Sequence, residues 1–357
     1  MKIINVVGAR PNFIKIAPLQ RVLDKFSDRV EYKLVHTGQH YDTKMSDVFF
    51  EELKIRKPDY FLNVGSGSHG HQTGRIMIEF ENILDMEKPD MVLVVGDVNS
   101  TLACAIDCAK KHIRLGHIEA GCRSFDMKMP EEVNRKLTDA ISDYLFAFDA
   151  VSVENLINEG ISKNKIYLVG DIMIDSLKFA LEKQGCEKPD EEYCVVTLHR
   201  PSNVDSIDTL EKIYAVLKQI SEKIKIIFPI HPRTKKIIFE NIDLKNKFSE
   251  LTNLEICEPY SYLNFIKLIS KSKFVLSDSG GIQVETTYMN VPCLIMRDST
   301  ERKFTIEYGS AELVGLNEDL IISNFEKIML GQYKTAGKID FLHGKTSEKI
   351  VEILLQK

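Results

Sequence analysis

Met91-Val-Leu-Val-Val-Gly-Asp-Val-Asn-Ser-Thr101 decides how the rest of the chain is read. Five apolar residues run without polar alternation, which suits a strand buried on both faces of a sheet rather than one half exposed to water. Gly96 and Asp97 then break the run, and Ser100 or Thr101 can cap the helix expected over Thr101–Lys111. Leu115–Ile118 repeats the strand pattern. Upstream, strands are expected at Lys2–Gly8 and Glu31–His36, with helical apolar spacing over Asn12–Phe26, about Ser46–Leu53 and Gln72–Leu84. Downstream come a helix from Glu131 to about Ser142 and strands at Tyr144–Phe148 and Lys165–Val169.

A polar break, Gly185–Glu192, precedes a second series with strands at Tyr193–Leu198, Lys225–Ile230, Leu254–Cys257, Phe274–Ser277 and Pro292–Met296. Apolar strands alternating with helices predict an α/β protein of two doubly wound, Rossmann-like domains facing a cleft. The expected domains are residues 1–172 and 173–344, with a last helix of about 345–357 packing back on the first.

Composition narrows the function. The 357 residues hold 47 Lys+Arg against 52 Asp+Glu, a formal net charge of −5, so no nucleic-acid footprint is evident. No apolar run approaches the ~18 residues of a membrane span, and the start of the chain lacks a signal-peptide pattern. Seven cysteines without Cys-x-x-Cys spacing, several in apolar contexts, read as buried thiols of a cytoplasmic protein.

In doubly wound sheets ligands bind beyond the carboxyl ends of the strands, so the polar residues there are the candidates. The first strand is followed by Gly8-Ala-Arg-Pro-Asn-Phe-Ile-Lys15, where Arg10 and Lys15 near a helix start suit an anion. Asp97 follows the strand at Met91. The stretch from His117 to Arg135 holds Glu119, Arg123, Glu131, Glu132 and Arg135, carboxylates for acid and base work beside cations for an anionic substrate. Glu132 itself is read as no more than compensation of a helix dipole. In the second series His199-Arg200 and His231-Pro-Arg233 follow equivalent strands, and Asp278-Ser279-Gly280-Gly281 joins a strand to a helix whose first N–H groups can hold a diphosphate. Glu285 lies further along that helix, where a carboxylate can accept from sugar hydroxyls. There is no His-Glu-x-x-His, no Cys/His ligand spacing and no Asp-x-Asp, so neither a metal nor a cofactor is expected. Gly65-Ser-Gly-Ser-His-Gly70 matches a dinucleotide loop only in spelling, since it is not in the first strand-to-helix turn. Such residues fit departure of a diphosphate from a sugar C1, by glycosyl transfer or by elimination.

Gly8-Ala-Arg-Pro-Asn-Phe-Ile-Lys15, Thr37-Gly-Gln-His40, Gly96-Asp-Val-Asn-Ser-Thr101, His117-Ile-Glu-Ala-Gly121, Met129-Pro-Glu-Glu-Val-Asn-Arg135, His199-Arg200 and Asp278-Ser-Gly-Gly-Ile-Gln283 occur in this order. Together they resemble the non-hydrolysing UDP-N-acetylglucosamine 2-epimerases over essentially the whole chain. The resemblance implies a fold like the two-domain GT-B glycosyltransferases, a homodimer, a UDP-sugar substrate and interconversion of UDP-GlcNAc with UDP-ManNAc for surface polysaccharides. It implies Asp97, Glu119 and Glu131 as acid/base groups and His199 near the leaving diphosphate. Arg10, Lys15, Arg135, Ser279, Gly280 and Gly281 would hold UDP, and Glu285 its ribose. Met45–Leu53 and Phe125–Pro130 also look like the subgroup acting on UDP-2,3-diacetamido-glucuronate.

Overall fold

The protein is described by a computed structural model over residues 1–38, 50–183 and 191–356, with the side chain of Arg10 left out. The expected helix about Ser46–Leu53, the break Gly185–Glu192 and the pair Gln39-His40 therefore lie wholly or partly outside the described residues. Contacts divide the chain into two units, Met1–Phe179 with Asp340–Lys357, and Ala180–Ile339. The divisions fall at 179/180 and 339/340, against the 172/173 and 344/345 read from sequence.

Unit 1 is built on a parallel sheet of β1 (Lys2–Val7), β2 (Glu31–His36), β3 (Tyr60–Phe61), β4 (Met91–Val95), β5 (Arg114–Ala120), β6 (Tyr144–Ala147) and β7 (Ile166–Leu168). Their order is β3-β2-β1-β4-β5-β6-β7. All five residues of β4 are buried, as a strand covered by helices on both faces requires. Val92 and Val94 pack with Ile76, Phe80, Cys104 and Cys108 from the helices His69–Glu87 and Asn99–Lys110. The order reverses between β1 and β4, which makes their carboxyl ends the expected place for a ligand. Helix Thr346–Leu355 completes the unit by packing on helix Arg10–Leu23. Asp175 caps it, accepting from the backbone N–H of Thr346 (3.1 Å) and Ser347 (2.7 Å).

Unit 2 repeats the plan with β8 (Tyr193–Thr197), β9 (Lys225–Pro229), β10 (Leu254–Cys257), β11 (Val275–Ser277), β12 (Cys293–Ile295) and β13 (Ala311–Leu313). The parallel order is β10-β9-β8-β11-β12-β13, reversing between β8 and β11. Phe228, Phe274 and Phe325 fill its core. β3 and β13, two and three residues long, are absent from the sequence reading. Among the described cysteines none forms a disulfide, and Cys104, Cys108, Cys194 and Cys293 are buried. No helix among the described residues is long and apolar enough to cross a membrane.

Candidate active site

The exits of β1, β4 and β5 converge in unit 1. Asn12, in the first turn of helix Arg10–Leu23, accepts from the N–H groups of Gly8 (3.1 Å) and Ala9 (3.0 Å) and donates to the Val95 carbonyl (3.1 Å). One side chain thus locks the turn after β1 to the end of β4. Gly8 has no room for a side chain, because a Cβ there would lie 2.1 Å from Ser100 Oγ. That hydroxyl is engaged with Thr37 Oγ1 at 2.8 Å. Lys15, further along the same helix, forms an ion pair with Glu119. Gly96, at φ 70°, sits against this pair, its Cβ position 3.3 Å from Lys15 Nζ and 3.5 Å from Glu119 Oε2.

Glu119 lies inside β5 rather than beyond it. The strand continues to Ala120, two residues past the expected Ile118, and its register with β6 slips between Ile118 and Ala120. Glu119 occupies that irregularity at φ 71°, a left-handed conformation that a residue with a Cβ adopts at a cost of about 1–3 kcal/mol. Its carboxylate is only 9% exposed. A strained, buried carboxylate against a lysine is an arrangement that enzymes keep at reacting centres.

Asp97 and Arg135 are also brought together. Arg135 donates from Nε (2.9 Å) and Nη2 (2.6 Å) to Asp97 Oδ2, and from Nη1 to Glu132 Oε2 (2.8 Å). Two of its five N–H donors remain outside these bonds. Glu131 is exposed in the first turn of helix Pro130–Ile141. Glu132 does stand in the first turn of that helix, but it does more than compensate a dipole. It is fully buried, and it accepts from Ser124 N (2.9 Å), Ser124 Oγ (3.1 Å) and Phe125 N (3.1 Å), which pins the loop before the helix. Burial alone would raise its pKa, but these donors and Arg135 hold it below the usual glutamate value.

Arg123 is corrected as well. Expected to meet a diphosphate, its guanidinium is instead fully buried on Asp139 (2.7 Å) and Glu159 (2.6 Å). With no surface towards solvent it has none towards a ligand. Its partner Asp139, unmarked in the sequence reading, also accepts from Gly121 N (3.0 Å) and pairs with His117 Nδ1 (2.6 Å). Burial would raise the pKa of Asp139, yet His117, Arg123 and the Gly121 amide keep it below the ordinary aspartate value.

In unit 2 the exits of β8, β9 and β11 carry the expected residues. Asp278 follows β11 and is fully buried. It accepts from the backbone N–H of His199 (3.0 Å) and Arg200 (2.9 Å), from Asn203 Nδ2 (3.1 Å), and meets His199 Nδ1 at 2.9 Å. The turn after β8 is therefore held by a carboxylate from another strand, and His199 keeps a partly exposed ring. Burial opposes ionisation of Asp278, but His199 and the two amides hold its pKa down. The exposed His231 lies beside His199, ring centroids 5.8 Å apart, and its Nδ1 accepts from Arg233 N (3.2 Å).

Ser279 precedes helix Gly280–Met289, whose opening glycines leave its first amide groups approachable. Among the described residues, apart from its chain neighbours and the helix's own backbone, nothing comes within 4 Å of a Cβ position at Gly281, whereas at Gly280 Glu301 Oε1 lies 2.8 Å away. Glu301 is paired with Arg297 (2.9 Å). Gln283, fully buried, links the helix start to the segment after β12 by donating to the Ser279 carbonyl (3.3 Å) and accepting from Thr300 Oγ1 (2.7 Å). Glu285 is buried in the middle of the helix. This unit offers amide groups and histidines to an anion, while unit 1 offers carboxylates, of which Glu119 and Asp97 are pinned by Lys15 and Arg135.

Comparison with known proteins shows what the chain as a whole is similar to. A family profile described as UDP-N-acetylglucosamine 2-epimerase matches residues 24–355. The chain is 43% identical to the UDP-N-acetylglucosamine 2-epimerase of Methanocaldococcus jannaschii, over 99% of both proteins. It is 40% identical to the UDP-2,3-diacetamido-2,3-dideoxy-D-glucuronate 2-epimerase of Pseudomonas aeruginosa, again over 99% of both. Among solved structures, that of the M. jannaschii UDP-GlcNAc 2-epimerase in complex with UDP-GlcNAc and UDP matches with a TM-score of 0.87 at 42% identity, over 100% of both chains.

Proposed function

The chain belongs to the UDP-N-acetylglucosamine 2-epimerase family, and from that membership we propose its reaction and the residues that carry it. It is an isomerase with a GT-B-like fold that interconverts UDP-GlcNAc and UDP-ManNAc. The observation that most supports a role in this chemistry is Glu119, a buried carboxylate in a strained backbone conformation paired with Lys15.

The C2 proton of an acetamido sugar is weakly acidic, since no carbonyl is attached to C2. It leaves as the C1–O bond breaks, so that the C2–H electron pair forms the C1–C2 double bond and the C1–O pair departs on the β-phosphate. The products are a 2-acetamidoglucal and UDP. Reversal, with the proton delivered to the other face of C2 and UDP returned to C1, inverts that centre. Asp97, Glu119 and Glu131 supply the acid and base. The Ser279-Gly280-Gly281 helix start, His199 and His231 take the diphosphate and its developing charge. Arg10, Lys15 and the two remaining donors of Arg135 add positive charge for the phosphates, and Glu285 takes the ribose. The reaction needs no metal or redox cofactor in this scheme. The protein acts as a cytoplasmic homodimer and supplies a precursor of surface polysaccharide.

Incubation with UDP-GlcNAc in heavy water, followed by proton NMR, tests the reading. Deuterium at C2 and a mixture of the two UDP-sugars are expected; free ManNAc with UDP would mean hydrolysis instead. The 40% identity to the P. aeruginosa enzyme supports a second substrate, UDP-2,3-diacetamido-glucuronate. Exchange confined to that sugar, in a side-by-side assay, replaces the first reading with the second. Light scattering checks the dimer.

A further inference from the structure

Glu119 is held between two backbone anchors that share one buried support. On one side His117 Nε2 meets the carbonyl of Gly96 at 2.8 Å, and on the other the amide of Gly121 donates to Asp139 Oδ2 at 3.0 Å. The anchors are joined through the bond of His117 Nδ1 to Asp139 Oδ1, 2.6 Å long, between side chains each 1% exposed. Arg123 fixes the far side of Asp139. Both ring nitrogens of His117 are thus engaged, one with each anchor. Gly121 has its own reason to stay still: at φ 80° its Cβ position lies 2.2 Å from the Ser152 carbonyl.

We propose that His117 and Asp139 are positioning residues that force the chain at Glu119 into its left-handed turn and so aim its carboxylate at Lys15. A strand that bonded evenly to β6 would carry Glu119 in extended backbone, with successive side chains on opposite faces. The slipped register between Ile118 and Ala120 releases Glu119 from that ladder. The Asp139–His117 pair holds the residues before and after it while Glu119 turns between them. The two glycines are the termini of the brace, because Gly96 packs on Lys15 and Glu119 and Gly121 is the next residue but one after Glu119. The brace rests on the acid/base role proposed above for Glu119, and it adds the residues that make that role geometrically possible.

His117→Gln and His117→Asn separate its two arms. Glutamine places an amide nitrogen near the Nε2 position and keeps the bond to Gly96, whereas asparagine places one near Nδ1 and keeps the bond to Asp139. Asp139→Asn removes the acceptor common to both sides. A shift of about 1 Å in a reacting group costs roughly 10²-fold in rate, so Asp139→Asn should lose about that much kcat for C2 exchange. KM and UDP affinity should stay near wild type, and each His117 variant should lose less than Asp139→Asn. General damage to unit 1 would move KM and kcat together. The second readout does not need activity: backbone carbon shifts, or a crystal structure, report whether Glu119 keeps its positive φ. Departure of Glu119 from that region in Asp139→Asn, or in His117→Gln if the first does not fold, supports the brace. Retention of positive φ together with wild-type kcat overturns it. Absence of C2 exchange in the wild-type protein sinks the catalytic reading instead, and leaves the φ measurement to decide on the brace.

Discussion

Asp139 in unit 1 and Asp278 in unit 2 are both buried aspartates that accept from backbone amides and a histidine, yet they serve opposite kinds of site. Asp139 stands behind β5 and braces a strand so that a carboxylate, Glu119, is presented in a strained conformation. Asp278 stands at the exit of β11 and braces a loop so that a histidine ring and a turn beside a glycine helix start are presented. On the proposed reading, the same device supports acid/base chemistry in one unit and anion binding in the other. A buried carboxylate with several donors specifies a shape, and the residue it holds specifies the chemistry.

The largest expected effect tests the chemical side. Glu119→Gln should lower C2 exchange by roughly 10²–10⁴-fold while UDP still binds, measured by proton NMR and calorimetry; normal exchange would remove Glu119 from the reaction. Next comes Asp278→Ala, which leaves the His199 and Arg200 amides without their acceptor and should destabilise unit 2 by about 3–5 kcal/mol in denaturant unfolding. Its effect should also depend on pH. The folded pKa of Asp278 lies below the unfolded value of ~3.9, so its contribution is complete above that value and fades as pH falls through the folded pKa. A pH-independent difference between variant and wild type would break the parallel with an ionised clamp.

Gly281→Ala sharpens the binding side. The site has space for the methyl group, so stability should change little. Masking amides that face a charged ligand should weaken UDP about tenfold, and an unchanged Kd would move the phosphates elsewhere. The last effect concerns Asp107, a carboxylate buried without a clamp. Its Oδ2 has no partner among the described residues, and burial, followed by the charge of Glu81, pushes its pKa up to about 7. Here the sign reverses. Between the unfolded value and about 7 the unfolded chain releases a proton that the folded protein keeps, so stability falls as pH rises. Asp107→Asn should therefore stabilise the protein at pH 8 by on the order of 1–3 kcal/mol and do almost nothing near pH 4. A uniform gain at both pH values would mean that packing, not ionisation, sets the difference.

Sequence patterns made the parallel strands and their exits legible because long buried strands and glycine-rich turns are local signals. The positions of Asp97, His199 and Ser279 followed from that. What stayed hidden was partnership across the sheet. Arg123 reads as a ligand cation until Glu159, 36 residues later, takes it. Asp278 stood in plain view at the exit of a buried strand, beside the glycines, but the amides it holds are 78 and 79 residues away. Nothing in a linear pattern marks a glutamate in a β-strand for a positive φ, since the cause lies in Asp139 and His117 together.

Helix Thr346–Leu355 gives the molecule an order of assembly. Unit 1 is interrupted by Ala180–Ile339, so its final helix is synthesised after all of unit 2. At ~5–20 residues per second, a ribosome takes on the order of ten seconds or more to make that insertion. Through that time helix Arg10–Leu23 lacks the neighbour that covers it, and Asp175 waits for the two amides it caps. The second-encoded unit is thus the first able to finish folding. A fragment ending before Thr346 would hold every residue assigned to the chemistry and still expose an apolar helix face.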